Sequence, residues 1–260
     1  MSPRPPWGRP NEGIRARSVA TGARSGLRRR RFSRDKALDG IVLERLLHAC
    51  LQSHDGLADR ARLCVRFEHL VRRTAMRSDN AGWRAYPVCI EAVLDAQGLT
   101  LELATGVTYS STCPASAALA RQLIQQHAAA RFEAGKPIDR DAMLEWLGGE
   151  QGVPATPHAQ RSTARLRVRF AQGALLNLIA LVDRVELALG TPAQTAVKRE
   201  DEQAFALANG SNLMFCEDAA RRIQRALEDE PGIAGFDVGI AHHESLHAHD
   251  AVAYASGGAG

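Results

Sequence analysis

The alternation of apolar and polar positions divides most of the chain into short helices and strands. From Asp35 onward, the segment "ALDGIVLERLLHACLQSH" has apolar residues at helical spacing. The segments "ARLCVRFEHLVRR", "WRAYPVCIEAVLDAQG" and "LTLELATGVTYSS" favour three successive strands, and the second turns into the third through Asp95-Ala96-Gln97-Gly98. The pattern therefore predicts a helix followed by antiparallel strands.

The second half of the chain is richer in helices. Helices are predicted from Pro114 to about Ala130 and from Asp139 to Leu147, and a Pro/Gly-rich loop leads into the strand "ARLRVRFA". Helical patterns follow in "LLNLIALVDRVELAL", "KREDEQAFALA" and "NLMFCEDAARRIQRALEDE", and a final strand pair carries "IAHHESLHAHDAVAY". We expect an α+β fold of antiparallel sheets with helices on one face, and a boundary between two modules near residues 98–102.

The positive charge is confined to the start of the chain. The formal net charge is +4, but residues 1–34 contain ten Arg and one Glu, so residues 35–260 carry a net −5. We expect residues 1–35 to be an Arg/Pro/Gly-rich leader, disordered or mis-assigned, because its composition cannot form a packed core. Its two aromatic residues, Trp7 and Phe32, do not interleave regularly with the ten arginines as base stacking requires, so the leader does not predict nucleic-acid binding.

No targeting segment or membrane span is predicted. The most apolar stretch, "ALLNLIALV", is much shorter than the ~20 residues that a membrane helix needs. The five cysteines are odd in number and widely spaced, which favours free thiols in a reducing cytoplasm.

The string "HESLH" matches the zinc-protease signature H-E-x-x-H, which requires a helix that places both histidines on one face. The residues before it alternate as in a strand, so we reject a protease. On an extended strand Glu244 and His247 would face opposite sides, and only a bend would bring them together.

Two polar positions stand where a strand meets a helix or a loop. Cys113 follows a strand and precedes Pro114, so it is expected at a helix N-terminus, where the dipole favours a thiolate. His158 lies in "TPHAQRS", between a loop and a strand, and is either a ligand or simply solvated.

Charged residues at one predicted helix start are further candidates. Lys198 and Arg199 precede Glu202 and could contact a polyphosphate, although such a mixed run is normally solvated. Thiolate, imidazole and carboxylate groups together are typical ligands of a divalent transition metal. The candidates for such a site are Cys113, His158, Glu202 and His247.

Four segments resemble the type IB GTP cyclohydrolases, enzymes of the tunnelling fold. They are "YSSTCPASAALARQLI", "TPHAQRS", "GTPAQTAVKREDEQAFALANGSNLMFCEDAARR" and "ESLHAHDAVA", and the resemblance runs from about Leu43 to Ala255. It implies hydrolysis of GTP with water to 7,8-dihydroneopterin triphosphate and formate. It also implies a divalent metal ion (Zn, Mn or Fe) and a homotetramer with sites between subunits.

The resemblance also implies roles for individual residues. Glu217 would bind the guanine ring, and Glu244 and His249, with Cys113, would carry the catalytic chemistry. The triphosphate contacts, chosen by charge alone, are Arg161, Lys198 and Arg199. The metal ligands are the four candidates named above.

The chain departs from the family pattern at two places. Ala115 replaces a cysteine in the usual "CPCS" motif, and the leader replaces two initial strands. The resemblance therefore predicts tandem modules, roughly residues 36–100 and 101–260, of which the first is truncated. Two alternatives stay open: a catalytically impaired family member and a tunnelling-fold deazaguanine nitrile reductase.

Overall fold

The computed structural model describes residues 40–258. Within this range, helices and strands follow one another in an irregular order. The predicted leader, residues 1–35, lies outside this range. The helices are α1 Gly40–Gln52, α2 Pro114–Arg131, α3 Arg140–Gly148, α4 Leu178–Leu189, α5 Arg199–Ser211 and α6 Cys216–Glu228. The strands are β1 Ala61–Thr74, β2 Ala81–Asp95, β3 Gly98–Thr112, β4 Ala159–Phe170, β5 Ile233–His242 and β6 Ala251–Gly258.

The six strands form one antiparallel sheet in the order β1-β2-β3-β4-β5-β6, so each strand pairs with its neighbour in the chain. The turn between β2 and β3 closes with Asp95 opposite Gly98, which has a positive φ of 107° that favours glycine. The predicted turn is confirmed. The sheet continues across residues 98–102, and the predicted division into two modules stays a prediction.

One face of the sheet is covered by helices. Residues at alternate positions of each central strand are buried there, as expected for a half-covered sheet. Helix α6 contacts β5, β6 and α4, and its Ile223 and Leu227 are almost fully buried. The predicted α+β architecture with helices on one face is therefore confirmed for the described residues.

The other face of the sheet carries mostly half-buried or exposed side chains. On β4 these are arginines at alternate positions, and on β1 they include arginines and one cysteine. The strands β1 and β6 are the two edges of the sheet.

One local prediction was wrong. Residues 243–250 form a loop between β5 and β6 and not part of a terminal strand, because strand pairing ends at His242 and resumes at Ala251. Phe215, directly before the first residue of α6, is 46% exposed. Among the helices of residues 40–258, none combines the length and apolarity needed to cross a membrane.

Candidate active site

Cys113 lies where β3 ends and α2 begins, as the sequence predicts. It is the residue before the helix, with extended backbone angles, and Pro114 occupies the first helical position. Its backbone N–H donates to the carbonyl of His158 at 3.4 Å, and the Ser116 hydroxyl accepts from the His158 N–H at 3.1 Å. The half-buried Cys113 and His158 are therefore held side by side by the backbone.

A hydrogen-bonded series connects His158 to Glu244. His158 Nδ1 lies 2.8 Å from Gln160 Oε1, and Gln160 Nε2 donates to Glu244 Oε1 at 2.7 Å. An ionised carboxylate only accepts, so the amide nitrogen of Gln160 must face Glu244 and its oxygen must face His158. His158 Nδ1 consequently carries a proton, and in the neutral imidazole Nε2 keeps a free lone pair.

The loop between β5 and β6 carries the histidine-rich string. His243 Nδ1 lies 2.9 Å from Asp250 Oδ2, its Nε2 lies 2.9 Å from Thr163 Oγ1, and its backbone N–H donates to Arg161. His243 therefore connects both ends of the loop to β4. The loop contains no helix, so the zinc-protease geometry is not formed.

His247 and His249 are exposed in the same loop, with their rings stacked at a centroid distance of 5.3 Å. The chain does bend after β5, in the loop of residues 243–250, but Glu244 and His247 have different surroundings there. Glu244 is half-buried against Gln160, whereas the two stacked histidines face solvent.

Glu217 stands in the first turn of α6, and its carboxylate accepts from the Cys216 thiol at 3.3 Å. Burial, followed by this bond to Glu217, raises the pKa of Cys216 to about 11, so this cysteine is a neutral thiol. The segment before α6 is joined to the end of β3, since Met214 N–H donates to the Thr112 carbonyl at 3.2 Å. That bond places the start of α6 beside the strand that leads into Cys113.

His242 is a site residue that the sequence reasoning missed. It is 4% exposed, and its Nε2 lies 2.8 Å from the buried Tyr109 hydroxyl. Burial lowers the pKa of His242, while the nearby carboxylates of Glu244 and Glu217 act in the opposite direction. Strand alternation with Val238 and Ile240 could have indicated its buried position.

The charged residues at the start of α5 form a separate group. The fully buried Asp201 carboxylate accepts hydrogen bonds from the backbone N–H groups of Arg77, Ser78 and Lys198 and from the Ser78 hydroxyl. Burial alone would raise the pKa of Asp201, but these donors, the Lys198 N–H first, hold it well below its usual range. Asp201 therefore fixes the first turn of α5 against the loop between β1 and β2.

The predicted phosphate contacts are already paired or exposed in the single chain. Lys198 Nζ lies 2.9 Å from Asp79 Oδ1, and Arg199 Nη1 lies 2.7 Å from Glu202 Oε2. Arg161 is exposed on the face of the sheet away from the helices. The structure does not gather these three cations around one point by any hydrogen bond or ion pair within residues 40–258.

The predicted metal ligands are only partly brought together. Cys113 and His158 are neighbours, but within residues 40–258 no three His, Cys, Asp or Glu side chains form a group that could hold a metal ion. Glu202 is exposed and paired with Arg199, and His247 stacks on His249. One chain alone therefore does not fit a complete three-ligand site.

An α+β fold that places a thiol, an imidazole, a glutamine and two glutamates around the ends of β3, β4 and β5 is typical of an enzyme that moves protons. The family description "Type I GTP cyclohydrolase folE2" matches residues 29–253, and the chain belongs to this family.

Similar proteins agree with this assignment. "GTP cyclohydrolase FolE2" of Chromohalobacter salexigens is 55% identical over 217 residues, which cover 83% of this chain and 70% of that protein. The protein of the same name from Pseudomonas putida is 51% identical over 217 residues, which cover 83% of this chain and 72% of that protein. Family membership favours the cyclohydrolase interpretation over the nitrile reductase.

Among solved structures, a hyper-thermostable uricase mutant aligns with a TM-score of 0.42 and 10% identity, covering 83% of this chain and 67% of that one.

Proposed function

We propose that the protein is a GTP cyclohydrolase I, which converts GTP and water into 7,8-dihydroneopterin triphosphate and formate as an entry step to pterins. The observation that carries the proposal is the series from His158 through Gln160 to Glu244, beside Cys113, in a chain of the FolE2 family. Opening and reclosing a purine ring requires repeated proton transfers at positioned groups. This series supplies such groups.

Glu217 is proposed to select the guanine base. A carboxylate can accept two hydrogen bonds, from guanine N1–H and from the exocyclic amine, whereas adenine offers no donor at N1. Glu217 is exposed in the first turn of α6, where helix N–H groups and the dipole stabilise its negative charge. Its only hydrogen bond within residues 40–258 comes from the weak donor Cys216, which leaves acceptor positions for a base.

Glu244 and His158 are proposed to handle protons at the reacting carbon. The free lone pair of His158 Nε2 points away from Gln160, so it is open to a ligand or a proton. Glu244 is half-buried and accepts from an amide that cannot take its proton, so it can exchange protons with substrate. His249 is the further acid–base candidate, in the same loop of residues 243–250.

Arg161, Lys198 and Arg199 are proposed triphosphate contacts. A triphosphate carries more negative charge than the single carboxylates of Asp79 and Glu202 that now pair with Lys198 and Arg199. Exposed ion pairs are worth only about 0–1 kcal/mol, so exchanging them for a polyanion costs little.

Metal dependence and assembly are parts of the same proposal. A divalent ion, Zn, Mn or Fe, would be held by Cys113, His158, Glu202 and His247. A homotetramer of the tunnelling fold would complete the site. Each subunit would have tandem modules, of which the first is truncated. Adjacent Cys113 and His158 support the first two ligands. A cytoplasmic location also stays a prediction.

The test is an assay of purified protein with GTP and each of the three metal ions. Released formate and, after oxidation, fluorescent neopterin are measured. Activity is expected, and Glu217→Gln should raise KM for GTP by roughly 10-fold or more, because a hydrogen bond to a charged group is lost. The exposed Glu228→Gln on the same helix is the matched control. Soluble protein without activity with any metal would favour the impaired family member.

A further inference from the structure

Two cysteines lie in contact on the side of the sheet that faces away from the helices. Cys64 on β1 and Cys89 on β2 have their Sγ atoms 3.6 Å apart. In the register of the two strands, Cys64 is opposite Glu91 and Cys89 is opposite Arg66, so the thiols are diagonal neighbours on one face. Both cysteines are free, and neither belongs to the candidate active site.

The surroundings of this pair differ from those of a core cysteine. Cys64 is exposed and Cys89 is half-buried, so a small molecule in solution reaches Cys64 first. Burial, and then the hydrogen bond with Cys64, raise the pKa of Cys89, whereas the Arg66 guanidinium acts in the opposite direction. Arg62 pairs at 2.8 Å with Glu91, the residue opposite Cys64, so its positive charge is compensated there. The thiolate is the reactive form of a cysteine, and Arg66 is the nearby cation that favours it at Cys89.

We propose that Cys64 and Cys89 form a dithiol site that reacts with low-molecular-weight disulfides. The Cys64 thiolate attacks one sulfur of the disulfide RSSR, the S–S bond of RSSR breaks, and one RS⁻ leaves. The Cys89 thiolate then attacks Cys64 Sγ in the mixed disulfide, forms the Cys64–Cys89 bond and releases the second RS⁻. The two protein thiols lose two protons and two electrons, and RSSR is reduced to two RSH.

Proximity decides which product accumulates. The second thiol is already in contact with the first, so the resolving step is intramolecular and outcompetes a second encounter with free thiol. The bond connects β1, an edge strand, to β2, and it is far along both strands from the turn at residues 75–80. Cross-linking there fixes the open end of the hairpin and restricts separation of the edge strand.

The experiment treats the folded full-length protein with oxidised glutathione, followed by intact-mass measurement and peptide mapping. The expected product carries no glutathione on Cys64 or Cys89 and yields a cross-linked peptide, two hydrogen atoms lighter than its two free peptides together, that joins Cys64 to Cys89. The exposed Cys50 has no resolving thiol and can retain a glutathione, which peptide mapping distinguishes. Cys89→Ser should instead retain one glutathione on Cys64. Cys64→Ser should yield neither cross-link nor rapid modification of Cys89.

The matched control is Cys50→Ser, which removes an exposed cysteine on α1 without a thiol partner and should leave the cross-link unchanged. A persistent glutathione adduct on Cys64 of the unmutated protein would overturn the proposal, and so would a cross-link that involves other cysteines or two chains. If Cys89→Ser does not fold, the unmutated protein and Cys64→Ser alone decide the question.

Discussion

Gln160 donates its side-chain amide N–H to the Glu244 carboxylate at 2.7 Å. Because a carboxylate cannot donate, this bond fixes the orientation of the amide and thereby the proton position on His158. A neutral residue on β4 thus controls which nitrogen of a neighbouring imidazole is available. Gln160 is a positioning residue in this arrangement.

Gln160→Ala should lower kcat by about 10- to 100-fold, a loss typical of removing the partner that orients a functional histidine. KM for GTP should change less, because Gln160 is 7% exposed and its side chain is hydrogen-bonded to His158 and Glu244, not to the proposed base-binding Glu217. Steady-state kinetics of formate release test this. The control is Gln126→Ala, an exposed glutamine on α2. A loss confined to KM would contradict the positioning role.

Two histidines of the loop should respond differently to substitution. His243→Arg should keep activity, since a guanidinium can replace the contact of the imidazole with Asp250. His247→Ala should abolish activity and reduce metal content, because His247 is a proposed ligand. Formate release and elemental analysis of the purified variants measure both effects. Equal losses from the two changes would show that His243 is as important for activity as His247 and would contradict the distinction between them.

Asp201 should make stability depend on pH in the acid range. The pKa of Asp201 is lowered in the folded state. Its contribution to the free energy of unfolding is therefore fully present above the pKa of the unfolded chain, about 3.9, and is lost as the pH falls through the pKa of the folded state. Asp201→Asn should therefore lower Tm at neutral pH, and the difference from the unmutated protein should shrink below about pH 4. Asp59→Asn, at an exposed position, should have little effect at any pH. A constant difference down to strongly acidic pH would show that Asp201 does not act through its charge.

Ile223 tests the packing of α6 on the sheet. It is 0% exposed, so Ile223→Ala should leave a cavity and lower the free energy of unfolding by about 2–5 kcal/mol. Leu187 on α4 is 84% exposed, and Leu187→Ala should change the free energy of unfolding by no more than about 0.5 kcal/mol. Urea unfolding measures both values. Similar effects of the two substitutions would mean that α6 does not pack as described.

The periodic part of the fold could be predicted from the sequence. Alternating positions in β1 to β4 and the Asp95–Gly98 turn are local signals, and the structure has them. The loop at residues 243–250 could not be predicted in this way, because its histidines continue the alternation of β5. Strand pairing ends at His242, and the next residue, His243, contacts Asp250 within the loop and Thr163, which is distant in the chain.

The part of the site that could be predicted consists of residues whose side-chain chemistry and position at the end of a helix or strand both indicate a function. Cys113 at a helix start and His158 at a strand start follow from neighbouring residues, and they lie together in the structure. Gln160 and His242 lie in quoted segments but have no predicted role, because their importance comes from contacts with Glu244 in the β5–β6 loop and Tyr109 on β3. Glu202 and His247 stay predictions as metal ligands, because within residues 40–258 they join no group of three.

The order of the strands in the sheet has a consequence for synthesis. Since every strand pairs with the strand before it, the sheet can be extended at one edge as the chain emerges from the ribosome. Among β1 to β6, no strand has to enter between two strands that are already paired. The helical segments between β3 and β4 and between β4 and β5 delay the pairing of the next strand, but they do not separate strands that are already paired.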